Sequence, residues 1–179
     1  MTINAGKPTL LSPECPNTDQ ALWALVPVKE TARAKQRLQA SLGTDREAFA
    51  QAMFRDVIRA LKSSELVTHI VVVTADPNVA ALDEAVLVVD ESKHGGLNAA
   101  VEQGVDAIRN LGGRQVAVFP ADIPLITGAE IDSLLNDFQD QRSSEGEHVV
   151  GIVPSRTHSG TNFLCFQTDQ PFSTRYGPG

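Results

Sequence analysis

Apolar residues in this chain occur in two patterns, short unbroken runs and longer stretches in which they recur every three or four positions. The runs are Leu22 to Val28 (with Trp23, Leu25 and Val26), His69 to Thr74, Val86 to Val89, Gln115 to Phe119, His148 to Val153 and Asn162 to Phe166. Runs of this length, rich in β-branched residues, predict strands covered on both faces. Between them, Phe49, Ala50, Met53, Phe54, Val57, Ile58 and Leu61 form one helical stripe. Leu97, Val101, Val105 and Ile108 form a second, and Ile131, Leu134, Leu135 and Phe138 a third. Thr44 with Glu47, and Thr127 with Glu130, have capping-box spacing, so helices should begin at both places. Asp76 before Pro77 predicts a short helix running to about Asp83.

Strands and helices alternate almost throughout, which predicts a single three-layer α/β, Rossmann-like domain with a mostly parallel sheet. Neither an internal repeat nor a linker divides it. The domain is expected over 21–179, behind a flexible extension over 1–20 broken by Gly6, Pro8, Pro13 and Pro16.

Composition changes the picture mainly through charge. The 179 residues carry 15 Lys plus Arg against 22 Asp plus Glu, a net charge of −7, and their pI is near 5.0. An acidic chain argues against a nucleic-acid partner spread over a broad surface. With no apolar run long enough to span a bilayer and no leader-like h-region, a soluble cytoplasmic protein with no membrane partner is expected. Cys15 and Cys165 stand in unlike contexts and read as free thiols. The four histidines match no metal-ligand spacing.

Against that acidic background, Lys29, Arg33, Lys35 and Arg37 place four of the fifteen cations within nine residues, immediately after the first strand. Open α/β sheets bind ligands at the carboxyl ends of their strands, so the cluster suits a polyphosphate. Gly95 and Gly96 fall where a strand-to-helix loop meets a helix N-terminus. Free N–H groups there favour an anion or a polar base edge, although a tight turn needing positive φ explains either glycine equally well. Asp122, framed by Pro120 and Pro124 after a buried strand, presents one hard carboxylate suited to Mg²⁺. The chain lacks G-x-x-x-x-G-K-[ST], and no G-x-G-x-x-G follows its first strand. Cations for a triphosphate, a carboxylate for a metal and a glycine loop for a base together point to nucleotidyl transfer.

Five segments, in order, carry a family resemblance: Val26-Pro27-Val28-Lys29 with Ala34-Lys35-x-Arg37-Leu38; Gly96-Leu97-Asn98-Ala99-Ala100; Pro120-Ala121-Asp122-Ile123-Pro124; Gly160-Thr161-Asn162; and Tyr176-Gly177-Pro178-Gly179. Together they resemble the guanylyltransferases of deazaflavin coenzyme (F-420) biosynthesis, members of the wider nucleotidyltransferase fold. The resemblance implies GTP as co-substrate, Mg²⁺ as metal and a small phosphorylated acid as acceptor: 2-phospho-L-lactate, phosphoenolpyruvate or 3-phospho-D-glycerate. It assigns Lys29, Lys35 and Arg37 to the triphosphate, Gly96 and Asn98 to the guanosine, Asp122 to the metal, and Thr161 and Gly177 to the acceptor. Lys29, Lys35 and Asp122 would be the catalytic set.

The chain departs from the family pattern in two places. Set against that pattern, the domain reads as cut short at Gly179, before the serine, helix, strand and second metal carboxylate that the pattern leads one to expect. Pro154-Ser155-Arg156 stands where Pro-Asp-Arg is expected. A related transferase for molybdopterin or a sugar phosphate, and a non-catalytic nucleotide-binding homologue, are the alternatives. Oligomeric state is open, a homodimer being one possibility.

Overall fold

A computed structural model describes residues 21–28, 45–81, 87–90, 95–145, 149–158, 160–169 and 173–176. The N-terminal extension, Thr44 of the first capping box, Val86 and His148 lie outside the described residues. Among the described residues, six strands and four helices follow in the order β1 (Leu22–Val28), α1 (Arg46–Ser63), β2 (Val67–Thr74), α2 (Pro77–Ala80), β3 (Leu87–Asp90), α3 (Gly96–Asn110), β4 (Gln115–Val118), α4 (Gly128–Glu145), β5 (Gly151–Pro154) and β6 (Thr161–Gln167).

The strands form one sheet in the order β3-β2-β1-β4-β6-β5. β1 pairs in parallel with β2 on one side and with β4 on the other, and β2 pairs in parallel with β3. β6 runs antiparallel to both β4 and β5, so five strands share one direction and β6 opposes them. The mostly parallel expectation holds.

All seven residues of β1 are buried. Their side chains alternate between two cores, as a period of two requires. Leu22, Ala24, Val26 and Val28 face the layer of α1 and α4, with Phe54, Val57, Leu61, Ile131, Leu135 and Phe138. Trp23 and Leu25 face α3, with Val101, Val105 and Ile108. β2 and β4 divide in the same way, Val72 and Ala117 to the first core, Val71 and Val116 to the second. This double burial explains why the strands read as continuous apolar runs rather than as alternating ones. On the α3 side, Gly104 lets the helix approach the sheet. A Cβ there would lie 2.9 Å from Val73 Cγ2 and nearer still to Leu25.

Several predicted boundaries move. Phe49, placed in the first stripe, is 45% exposed. Glu47 and Ala48 beside it are exposed as well, so the first turn of α1 lies outside the core. α1 begins at Arg46 with Asp45 in the N-cap position and no side-chain cap bond. α2 stops at Ala80, short of the expected Asp83, although Asp76 caps it as predicted, accepting from Asn78 N–H at 2.9 Å. β5 starts at Gly151 rather than His148, because its only strand partner is β6 and pairing begins at Gly151 with Cys165. The second capping box forms in both directions, with Thr127 N–H donating to Glu130 Oε2 at 2.9 Å and Glu130 N–H to Thr127 Oγ1 at 3.3 Å.

At the amino ends of the parallel strands the structure is stitched shut. Trp23 stacks on His69, ring centroids 4.1 Å apart. The Thr68 hydroxyl donates to Leu22 C=O at 2.8 Å and therefore accepts from His69 Nδ1–H at 3.0 Å. Burial lowers the His69 pKa. Arg109 donates to Thr168 C=O from Nε at 2.9 Å and from Nη2 at 2.5 Å, and the Thr168 hydroxyl donates to Gly113 C=O at 2.8 Å.

One carboxylate joins the two helices of the first core to the sheet. Asp132 on α4 accepts from Ser64 Oγ at 2.5 Å, Leu66 N–H at 3.2 Å and Glu65 N–H at 3.1 Å, bracing the turn from α1 into β2. Desolvation, the largest single influence, raises its pKa. The Ser64, Glu65 and Leu66 bonds together outweigh it, so the net shift is downward. A depressed carboxylate contributes stability that is present above its unfolded value and lost as pH falls through the folded one. Asp132→Asn is expected to cost about 1 kcal/mol, at the low end for hydrogen bonds to a charged group because solvent screens it. The melting temperature should fall by about 2–4 °C at pH 7. The gap between wild type and variant should close on acidification below the ordinary aspartate range. Calorimetry from pH 7 to pH 3 checks both, and a gap that persists at acid pH would show that the ionised form contributes nothing.

Candidate active site at the carboxyl rim of the sheet

The chain leaves β1 at Val28 and β4 at Val118 on the same edge of the sheet, and these strands are neighbours. From β1 the chain winds outward to β2 and β3, whereas β4 lies on its other side. The boundary between β1 and β4 is therefore the topological switch point, where open α/β sheets leave a crevice for ligands. The two strands end unevenly there. Pairing stops at Leu25 with Val118, and Phe119 N–H still donates to Leu25 C=O at 2.9 Å, while β1 continues to Val28. β4 thus gives way early to the Pro120–Ile126 loop.

Asp122 sits in that loop, exposed to solvent at the rim. Among the described residues no group of three or more His, Cys, Asp or Glu could hold a metal ion, so no all-protein cage is built there. An exposed single carboxylate beside a ligand crevice fits a cation that completes its shell with water and phosphate oxygens, as Mg²⁺ does. Lys29, Lys35, Arg37 and Gly177 lie outside the described residues. In sequence, Lys29 follows directly on Val28.

The glycine loop reaches the same rim from β3. The two glycines, equivalent from sequence, have separate conformations. Gly95 has φ −94°, open to any residue, whereas Gly96 opens α3 with φ +79°. A Cβ on Gly96 would meet nothing within 4 Å, so space is not what demands glycine there; backbone sterics are. Gly95, at the N-cap of α3, offers no side chain to cap it, and the N–H groups of the first turn have no intrahelical partner, as in any helix. Gln103 donates through Nε2 to Asp90 C=O and ties the helix to the end of β3.

Asn98, in the same turn, is engaged at both ends of its amide. Tyr176 N–H donates to Asn98 Oδ1 at 2.6 Å, and Asn98 Nδ2 donates to Tyr176 C=O at 3.1 Å. The contact spans 78 positions, and the sequence carries no local signal of it. The Tyr176 ring packs against the α3-side core, and burial pushes the phenol up to about 12. Thr161 begins β6 opposite Pro154, and because β6 is reversed its first residue, not its last, stands at the rim. Ser155, found where the family pattern has aspartate, closes the β5–β6 hairpin: Ser155 N–H donates to Gly160 C=O at 2.8 Å and Ser155 Oγ accepts from Gly160 N–H at 3.0 Å. His158 takes φ +54° within this hairpin. Cys165 lies away from this chemistry, its thiol pKa raised by burial in the first core.

The rim therefore gathers the Asp122 loop, the Gly96 turn and Thr161, together with the point where the basic segment departs. This sheet is one that solved nucleotidyltransferases also have. A solved structure from Desulfovibrio desulfuricans G20, classed as a nucleotide-diphospho-sugar transferase, shares it with TM-score 0.64 at 21% identity, over 83% of this chain and 64% of that one. The family model described as "Guanylyl transferase CofC like" matches residues 22–179, and the chain belongs to that family. Among curated relatives, the phosphoenolpyruvate guanylyltransferase of Conexibacter woesei is 34% identical over 158 residues, 87% of this chain and 69% of that protein. The enzyme of the same name from Rubrobacter xylanophilus is 36% identical over 163 residues, 89% of this chain and 75% of that protein.

The two glycines make a direct test. Gly96→Ala forces an L residue into the left-handed region at a cost of about 1–2 kcal/mol. The melting temperature should fall by roughly 2–8 °C. Gly95→Ala should fall by much less, since its φ is already allowed. Thermal denaturation of both variants decides this, and equal losses would remove the conformational account of Gly96.

Proposed function

We propose that the protein transfers GMP from GTP to a small phosphorylated acid with release of pyrophosphate, in the assembly of coenzyme F-420. Phosphoenolpyruvate is the first acceptor to test, because the similar curated enzymes carry its name. 2-Phospho-L-lactate and 3-phospho-D-glycerate are the others. The single observation that carries the reading is the adjacency of β1 and β4, which sets the end of β1, directly before the basic segment in sequence, beside the start of the Asp122 loop.

In this reading Lys29, Lys35 and Arg37 hold the triphosphate, and Gly96 and Asn98 meet the guanosine. Thr161 and Gly177 receive the acceptor. Asp122 holds magnesium, which when bound neutralises charge on the phosphates. A phosphate oxygen of the acid forms a bond to the α-phosphorus as the bond from that phosphorus to the bridging oxygen breaks. The electron pair leaves with pyrophosphate, whose charge Lys29 and Lys35 offset. The acceptor oxygen is already ionised at neutral pH, so no side-chain base is required and rate comes from alignment and field.

The protein incubated with GTP and each acid should release pyrophosphate with at least one of them, and chelation of divalent cations should stop it. Turnover with only a pterin or a sugar phosphate would overturn the acceptor class. Asp122→Asn should lower kcat by about 100-fold or more, the scale of losing one preorganised electrostatic contact. Its melting temperature should stay within about 2 °C, as for a surface substitution. A large fall in melting temperature with kcat intact would make Asp122 structural.

A further inference from the structure

At the rim β4 is shorter than both of its neighbours. Val118 makes its last pairings, with Leu25 of β1 on one side and Leu164 of β6 on the other. Past them β1 continues to Val28, while β6 already starts at Thr161. This leaves a notch above the end of β4, two strand spacings or roughly 10 Å across, walled by β1 and by the start of β6. The chain that leads to Asp122 leaves from its floor.

The β6 wall ends in the hairpin to β5, and one residue holds the tip. Ser155 N–H donates to Gly160 C=O, Ser155 C=O accepts from His158 N–H at 2.8 Å, and Ser155 Oγ accepts from Gly160 N–H. Arg156 therefore stands at the corner of a turn whose backbone is already ordered. It is exposed and has no ion-pair partner among the described residues. The hydroxyl of Ser155 supplies the closing acceptor without a charge, whereas the aspartate of the family pattern would set a carboxylate next to the guanidinium.

Resting on the function proposed above, we infer that Arg156 binds the phospho-acid, its guanidinium taking an oxyanion of the phosphate or the carboxylate. The Gly96 turn stands on the β3 side, where Gln103 ties α3 to Asp90 at the end of β3. A nucleotide that reaches the notch from that side leaves the β6 wall to the second substrate. On a chain of net charge −7, an unneutralised cation at that wall draws small anions to it. The planar fork of donors matches either oxyanion in a bidentate pair.

Arg156→Ala should raise the KM for the acid by about tenfold, the low end for a hydrogen bond between charged groups, and move that for GTP by less than about twofold. Arg156→Lys keeps the charge without the fork and should recover part of the loss. Ser155→Asp keeps an acceptor for Gly160 N–H, so its melting temperature should stay within about 2 °C. By neutralising Arg156 it should raise the KM for the acid by a smaller factor, about threefold.

A second readout needs no turnover. Phosphoenolpyruvate titrated calorimetrically into the protein, with Mg²⁺ and a GTP analogue carrying a methylene between its α- and β-phosphorus, should bind about tenfold more weakly to Arg156→Ala than to the wild type. Equal affinities would overturn the inference, as would a rise in the KM for GTP with that for the acid unchanged. If the wild type transfers GMP to no acid, the functional reading falls instead, and calorimetry alone decides whether Arg156 holds the anion. Absence of binding to the wild type would then overturn that as well.

Discussion

The constraint on which the structure rests is that β1 is hydrogen-bonded along both edges and covered on both faces. Its register with β2 and β4 is fixed by the alternation of its side chains between two cores. A slip of one residue would send Trp23 and Leu25 to the α1–α4 layer and bring Ala24 and Val26 under α3, where Gly104 leaves no room for misfit. The same register determines how far β1 outruns β4 at the rim. The packing of the interior and the shape of the crevice are thus consequences of a single alignment.

The parts of this architecture legible in the sequence were those whose causes are local. The β-branched run of β2, the reciprocal caps of Thr127 and Glu130, and the Asp76–Pro77 start are written in neighbouring residues, and each appears where its chemistry places it. Ends and directions were less legible. β5 begins where β6 becomes available to pair with it, and β6 is reversed because of how it meets β4, a relation between residues nearly fifty positions apart. Phe49 satisfies the helical period yet lies exposed, since periodicity reports a face and not how far the core beneath it extends.

The candidate site divides along the same line. That the strand-end loops should converge followed from the alternation of elements. That β1 and β4 are adjacent, so that the convergence has a crevice at its centre, required the fold. Gly95 and Gly96 cannot be told apart by residue type, and only the backbone shows which of them needs its freedom. The engagement of Asn98 with Tyr176 joins two motifs that read as separate. The hydroxyl of Ser155 shows how a residue departing from the family pattern can still serve the local geometry, by closing the hairpin between β5 and β6.

The reversal of β6 has a consequence for diversification. A parallel strand would need a long crossover to return, but β5 and β6 are joined by a hairpin that opens directly onto the rim. Residues can be added or removed between Pro154 and Thr161 with little entropic cost and without disturbing the ladder behind them. One end of the rim can therefore vary in length and bulk while the opposing end, anchored in the parallel half of the sheet, stays as it is.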